Sequence, residues 1–170
     1  MAVRPIITPP HPVLSQQAAE VTDFTAAQSV IADMLDTLYE TDNGIGLAAP
    51  QIGESLAIVV IDLSEERNNP LVLVNPKITQ GDGEVIGQEG CLSVPEVYAD
   101  VTRYQSVTVE AQDAQGNPMT ISRDASDDFL AIVMQHEIDH LKGTLFIDYL
   151  SPLKKTRALT KMKKALKHRD

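Results

Sequence analysis

The stretch Ile132-Val-Met-Gln-His-Glu-Ile-Asp-His-Leu-Lys-Gly143 decides the fold. Its centre, His136-Glu137-Ile138-Asp139-His140, is an HExxH pattern. Residues four apart lie on one face of a helix, so both imidazoles can address a single metal ion. Glu137 sits beside them, where a carboxylate can act as a base toward a water at that ion. Phe129, Leu130, Ile132, Val133, Met134, Ile138 and Leu141 make the segment apolar on most sides. That predicts a helix buried in a core rather than one lying on the surface. Ser126 is read as its N-cap, with Asp127 and Asp128 in the first turn, where negative charge suits the helix dipole. Gly143 is the expected stop, after Lys142 in the last turn. The bland interpretation makes both histidines hydrogen-bonded core residues and Glu137 a surface charge. Two imidazoles and a carboxylate buried without a partner would be costly, which favours a metal.

Catalytic sites of the zinc type take three protein ligands and leave one position open for water. Glu89-Gly90-Cys91-Leu92-Ser93 carries the one cysteine of the chain. A thiolate is a strong ligand for zinc or ferrous iron. An isolated cysteine is commonly a buried structural residue, but an HExxH helix in search of a third ligand shifts the balance. After His140 the remaining carboxylates are Asp148 and Asp170 and the remaining imidazole is His168. No glutamate follows on a later helix, and the HExxHxxGxxH extension is absent. The site therefore reads as Cys91, His136 and His140, with a water in the fourth position.

At 170 residues the chain suits one domain with a sizeable core. Its 43% hydrophobic and 22% charged residues fit a soluble globular protein. No apolar run approaches the ~20 residues of a membrane span. Met1-Ala-Val-Arg-Pro5 lacks the apolar region of a secretory signal, and a single cysteine excludes an internal disulfide framework. A cytoplasmic monomer is the expectation. Charge is uneven: residues 151–170 carry eight Lys and Arg against one Asp, the remainder six against 23 Asp and Glu. A basic tail on an acidic body suits a polar partner such as nucleic acid; composition alone favours a solvated helix.

Pro5, Pro9, Pro10 and Pro12 make residues 1–15 extended or turn-like, with His11 an incidental surface or locally packed residue. Val30, Ile31, Met34, Leu35 and Leu38 recur at helical spacing over about Thr25 to Thr41, with Asp23 or Thr25 as cap and Asn43-Gly44 as stop. The loop Gly44-Ile45-Gly46-Leu47-Ala48-Ala49-Pro50-Gln51 follows; its small residues permit close approach by another chain or a ligand. It matches no dinucleotide or P-loop fingerprint. Strands are expected at Ala57–Asp62, Leu71–Val74, Gln105–Gln112 and Pro118–Ser122, and a strand or hairpin at Ile78–Val85 broken by Gly81-Asp82-Gly83. Ser64 to Pro70 is a surface loop. Ser151-Pro152 opens a basic helix to about Lys167, with Leu153, Leu159, Met162 and Leu166 on its inner edge. The expected class is α+β, mainly antiparallel sheets around a central buried HExxH helix with a C-terminal basic helix. Residues 1–150 are expected to form one catalytic domain, with the basic helix 151–170 packed on it or projecting from it.

Three segments stand together in order: Gly44-Ile45-Gly46-Leu47-Ala48-Ala49-Pro50-Gln51, Glu89-Gly90-Cys91-Leu92-Ser93 and Gln135-His136-Glu137-Ile138-Asp139-His140. With them the chain closely resembles peptide deformylase, over nearly its whole length. The resemblance implies removal of the N-formyl group from the initiator methionine of newly made polypeptides, giving formate and a free amine. It implies one divalent metal on Cys91, His136 and His140, ferrous iron in the cell, with zinc, nickel or cobalt able to occupy the site. It implies Glu137 as the proton-transferring residue, with the Gln51 amide and the Leu92 backbone N–H set against the formyl oxygen. The backbone of Ile45 and Gly46 would pair with the extended substrate. Ile45, Phe129, Ile132 and Val133 are candidates for the methionine pocket. Glu89 is assigned to the substrate site and to steadying it from behind, with Arg103 as a partner suggested by charge. Glu96-Val97-Tyr98 is expected to shape the cleft. In some relatives with such a tail the basic helix docks on the ribosome, so the resemblance implies Lys154, Lys155, Arg157, Lys161, Lys163, Lys164 and Lys167 as phosphate contacts. A metallopeptidase acting on internal amides, and a non-enzymatic ribosome-binding protein, are the competing readings.

Overall fold

The computed structural model describes residues 2–168. Strands β1 (Gly46–Ala48), β2 (Ile58–Ile61) and β3 (Leu71–Asp82) are followed by β4 (Val85–Cys91) and β5 (Val94–Arg103), then β6 (Ser106–Gln112) and β7 (Pro118–Asp124). Helix α1 spans Phe24–Glu40, α2 spans Leu130–Leu141 and α3 spans Pro152–Lys167. One antiparallel sheet has the order β1-β2-β3-β6-β7, and β4 pairs with β5 in a separate antiparallel hairpin. The class is α+β, as expected.

The five-stranded sheet is covered on both faces. Val59 and Ile61 of β2 pack with Met134 and Ile138 of α2. Ile58 and Val60 pack with Ile31, Met34 and Leu38 of α1. Burial on both sides explains why β2 is an unbroken β-branched run rather than an alternating one. A third cluster joins Val94, Val97 and Val101 of β5 to Phe146 and Ile147, which lie in the short 3-10 turn Phe146–Tyr149, and to Ala158 and Met162 of α3. Helix α3 is thus packed onto the hairpin. Ser151 caps it through Lys154 N–H, and Ala158 and Met162 form its inner face with half-buried Leu159 and Leu166. Leu153, expected on that inner edge, is 61% exposed, because the first turn lies beyond the hairpin contact.

Elsewhere the structure departs from the sequence expectations in three places. Helix α2 begins at Leu130, not after Ser126. Asp124 accepts from both Ser126 N–H and its hydroxyl, which holds Ser126 in a turn, and Asp128 Oδ1 takes the Leu130 N–H at 2.9 Å. The expected strand at 71–74 and the first part of that at 78–85 are one strand, β3, which runs to Asp82 and is bent by register shifts on either side of Lys77-Ile78; Val85 already opens β4. Asn75 sits at the bend with φ 53, a left-handed conformation that Asn tolerates. Its side chain there ties Val21 N–H and C=O to Gln112. Of the expected break Gly81-Asp82-Gly83, Gly81 and Asp82 stay in the ladder opposite Val107 and Ser106, and the chain turns at Gly83, φ 69. Third, β5 and the strand character of residues 88–91 went unassigned. Among the described residues, no helix is long and apolar enough to cross a membrane.

Candidate active site

Helix α2 runs under the five-stranded sheet and presents His136, Glu137 and His140 toward the end of the β4–β5 hairpin. Cys91 is the last residue of β4, directly before the two-residue turn Leu92-Ser93. The thiol of Cys91 and one nitrogen from each histidine lie within 4.8 Å of one another. Cys91 Sγ is 3.4 Å from His140 Nε2. His136 Nδ1 is 2.9 Å from Glu89 Oε1, which turns its Nε2 toward the cluster. The three expected ligands therefore converge.

Two buried atoms have no hydrogen-bond partner among the described residues: Glu137 Oε1 and His140 Nδ1. Glu137 Oε1 is 3.7 Å from His140 Nε2. An acceptor left bare beside one sulfur and two imidazole nitrogens is an arrangement that a divalent ion and its water complete. The donor set fits a metal.

Glu137 presses against backbone. A Cβ placed on Gly46 would sit 2.6 Å from Glu137 Oε2, so the glycine makes room for the carboxylate. Burial pushes the Glu137 carboxyl up to about 7, and Glu89 adds to this while His136 and Arg103 oppose it. Glu89 moves the other way. Burial raises it, but bonds from Arg103 and His136 overcome that and hold it down at about 2. His136 is lowered by burial, yet its contacts with Cys91 and Glu89 and the charge of Glu137 lift it well above the usual imidazole range. His140, fully buried and facing the charges of His136 and Arg103, is pushed well below it.

The Glu89–Arg103 pair suggested by charge is present and bidentate, 2.8 Å at both contacts. Arg103 also donates to Asp139, which accepts from Tyr149 Oη at 2.7 Å. Both Glu89 oxygens are thus engaged, by Arg103 and His136, and Glu89 also lines the cleft. Phe146 stacks on His136, ring centroids 6.0 Å apart. The sequence pointed to neither Asp139 nor Tyr149. The signal for Asp139 was its place inside the HExxH turn, one residue before a ligand.

Gln51 comes from the 3-10 turn Ala49–Ile52 and is buried. Its Oε1 accepts from Ala48 N–H at 2.9 Å, fixing the amide orientation. Its Nε2 donates to Ser93 Oγ at 3.0 Å and lies 3.5 Å from Cys91 Sγ. A cleft of about 600 Å³ opens above these groups. Ile45, Gly46, Gln51, Cys91, Leu92, Phe129, Ile132, Val133, His136 and Glu137 all line it. Val133 is buried at depth; Ile45 and Phe129 are partly exposed at the rim. Tyr98 lines the cleft too, its ring lying over Gly90. Ile6, Thr8 and Leu166 were not anticipated. They come from the N-terminal segment, which is pinned by Ile7 N–H to Gln51 C=O at 2.7 Å, and from α3.

Residues 3–156 match the family model described as polypeptide deformylase. The chain is 62% identical over 169 residues to peptide deformylase 2 of Vibrio cholerae, covering 99% of each. It is 63% identical over 164 residues to peptide deformylase 2 of Vibrio vulnificus, covering 96% of each. The crystal structure of a peptide deformylase from Legionella pneumophila superposes with TM-score 0.92 at 44% identity, covering 99% of this chain and 98% of that one.

Proposed function

We propose, since the chain belongs to the polypeptide deformylase family, that its cleft works through Cys91, His136 and His140 as metal ligands and Glu137 as the proton carrier. The enzyme is a metal-dependent hydrolase that removes the N-formyl group from nascent polypeptides. The observation that carries the assignment of roles is the convergence of one sulfur and two imidazole nitrogens within 4.8 Å beside an unpartnered Glu137 oxygen.

A divalent metal bound by these three side chains would supply a Lewis acid that activates water at neutral pH and polarises the formyl oxygen. Glu137 takes the proton of the attacking water at its carboxylate and returns one to the departing amine nitrogen. Its burial beside the three ligands places it to accept and then donate a proton there. The Gln51 amide, oriented by Ala48, and the Leu92 backbone N–H donate to the formyl oxygen as charge builds there. β1 is an edge strand, and Ile45 and Gly46 line the cleft at its start, which supports pairing of their backbone with the extended peptide through groups other than Ile45 C=O, which accepts from Asp62 N–H. The methionine side chain enters between Ile45, Phe129, Ile132 and Val133. Glu89 positions His136 and fixes its tautomer.

Ferrous iron is the proposed metal, with zinc, nickel and cobalt able to replace it. The protein is proposed to be a cytoplasmic monomer in which residues 1–150 form the catalytic domain. The outward face of α3 is proposed to meet ribosomal phosphate through Lys154, Arg157, Lys161, Lys163, Lys164 and Lys167. Lys155 is engaged with Asp148 at 2.6 Å and contributes less.

The test is formate release from a short N-formyl-methionyl peptide by protein loaded anaerobically with ferrous iron. Glu137→Ala should lose about 10²- to 10⁴-fold in kcat while keeping its metal. Cleavage of casein or blocked internal peptides, with no formate release, would instead mark an endopeptidase.

A further inference from the structure

Arg67 belongs to the polar loop between β2 and β3, which the sequence marks only as surface. In the fold it is half-buried and reaches back across the end of α1. Its Nη1 donates to Thr41 C=O at 2.7 Å and to Asp42 C=O at 3.2 Å. Its Nη2 donates to Leu38 C=O at 2.9 Å and to Gly44 C=O at 3.2 Å. The guanidinium lies 5.7 Å from the centre of the Tyr39 ring. The backbone of Arg67 adopts φ 54, an uncommon conformation for a residue with a side chain.

We propose that Arg67 is a positioning residue for the substrate strand, holding the segment 41–44 so that the Ile45–Gly46 edge presents a fixed register to the peptide. The last carbonyls of a helix lack intrahelical donors, and a planar guanidinium can satisfy several at once where an ammonium cannot. Here one guanidinium joins the end of α1 to Gly44, the residue immediately before the two that line the cleft at the start of β1. The other hydrogen bonds described for residues 44 and 45 are short-range or come from the start of the same loop, before the β1–β2 ladder begins at Gly46. Thr41 Oγ1 takes Gly44 N–H at 3.0 Å, and Asp62 N–H donates to Ile45 C=O at 2.8 Å. Asp62 itself is held by Ser64 and Asn69 of the Arg67 loop. Gly44 also leans on Leu92, since a Cβ there would come within 3.0 Å of Leu92 Cδ1. Removing the guanidinium takes a donor from four carbonyls, of which Leu38 C=O keeps Thr41 N–H and Oγ1, and lets this segment move relative to His136 and Glu137. Peptide pairing suffers before the chemistry does, because none of the four contacts touches the metal ligands.

This inference rests on β1 being the strand that pairs with substrate. The test compares wild type, Arg67→Ala and Arg67→Lys at matched metal content. KM for an N-formyl-methionyl tripeptide should rise about fivefold or more in Arg67→Ala, with kcat within about threefold of wild type. Arg67→Lys should fall between them. Millimolar guanidinium chloride, against sodium chloride as control, should restore KM in Arg67→Ala and leave wild type unchanged. In parallel, hydrogen exchange of the peptide spanning 44–48 should quicken in Arg67→Ala. An unchanged KM, or a fall in kcat at constant KM, overturns the proposal, as does unchanged exchange at 44–48. If wild type itself releases no formate, the reading of the site fails, and the exchange comparison still decides whether Arg67 holds the strand.

Discussion

Glu137 and Gly46 are in contact because one of them has no side chain. Gly46→Ala would drive a methyl group into the carboxylate proposed to carry the proton, and buried neighbours leave it few directions to retreat. The expected result is a kcat at least about 10-fold lower, with little change in thermal midpoint; steady-state kinetics beside a melting curve would measure it. Glu89 acts at one remove, steadying His136 while clamped by Arg103. Glu89→Gln should weaken metal binding by about 10- to 100-fold, read by competition with a chromophoric chelator. Retained affinity would mean that His136 is oriented by packing on Phe146 alone.

Among the elements, the loop from β2 to β3 is tied to the body through Asp62. Burial raises this carboxyl, but bonds from Ser64, Tyr39 and Asn69 hold it down at about 2, against a usual value of 3.8. A group depressed on folding stabilises the protein above its unfolded pKa and loses that effect as pH falls toward the folded one. Asp62→Asn should therefore cost about 2 kcal/mol at pH 7. The gap from wild type should close as pH falls from about 4 to about 2, as urea midpoints across that range would reveal. The same loop illustrates what sequence could and could not tell. Periodicity places α1 and α3 within a residue or two, and the HExxH turn with a lone cysteine points to the three side chains that converge in the fold. β5 escaped notice although Val97, Ala99 and Val101 alternate. Pro95, the exposed Tyr98 and the inward charge of Arg103 obscured the pattern, and that charge is buried only because Glu89 and Asp139 meet it there. Arg67 was illegible for a different reason: its partners are backbone carbonyls, which no side-chain pattern encodes.

For the molecule as a whole, Cys91 of the candidate site and the C-terminal helix share a core. Cys91 packs against the cluster that contains Phe146, Ala158 and Met162. Met162→Ala should destabilise by about 2 to 5 kcal/mol, and exposed Leu153→Ala by less than about 0.5; chemical denaturation would separate them. Deleting α3 would strip that core, so loss of ribosome co-sedimentation after truncation would report unfolding as readily as lost contacts. Changing Lys161, Lys163 and Lys164 to Gln leaves the buried face intact and isolates the charge.

The ring of Tyr98 over Gly90 has an optical consequence. The chain has four tyrosines and no tryptophan, so its ultraviolet emission comes from phenols. Two of these, Tyr39 and Tyr149, donate their hydroxyls to carboxylates, an arrangement that quenches excited phenol. Tyr98, 61% exposed at the cleft, is placed to brighten or dim when the cleft fills. Occupancy of the cleft should be readable from unlabelled protein, by tyrosine emission that a Tyr98→Leu variant no longer reports.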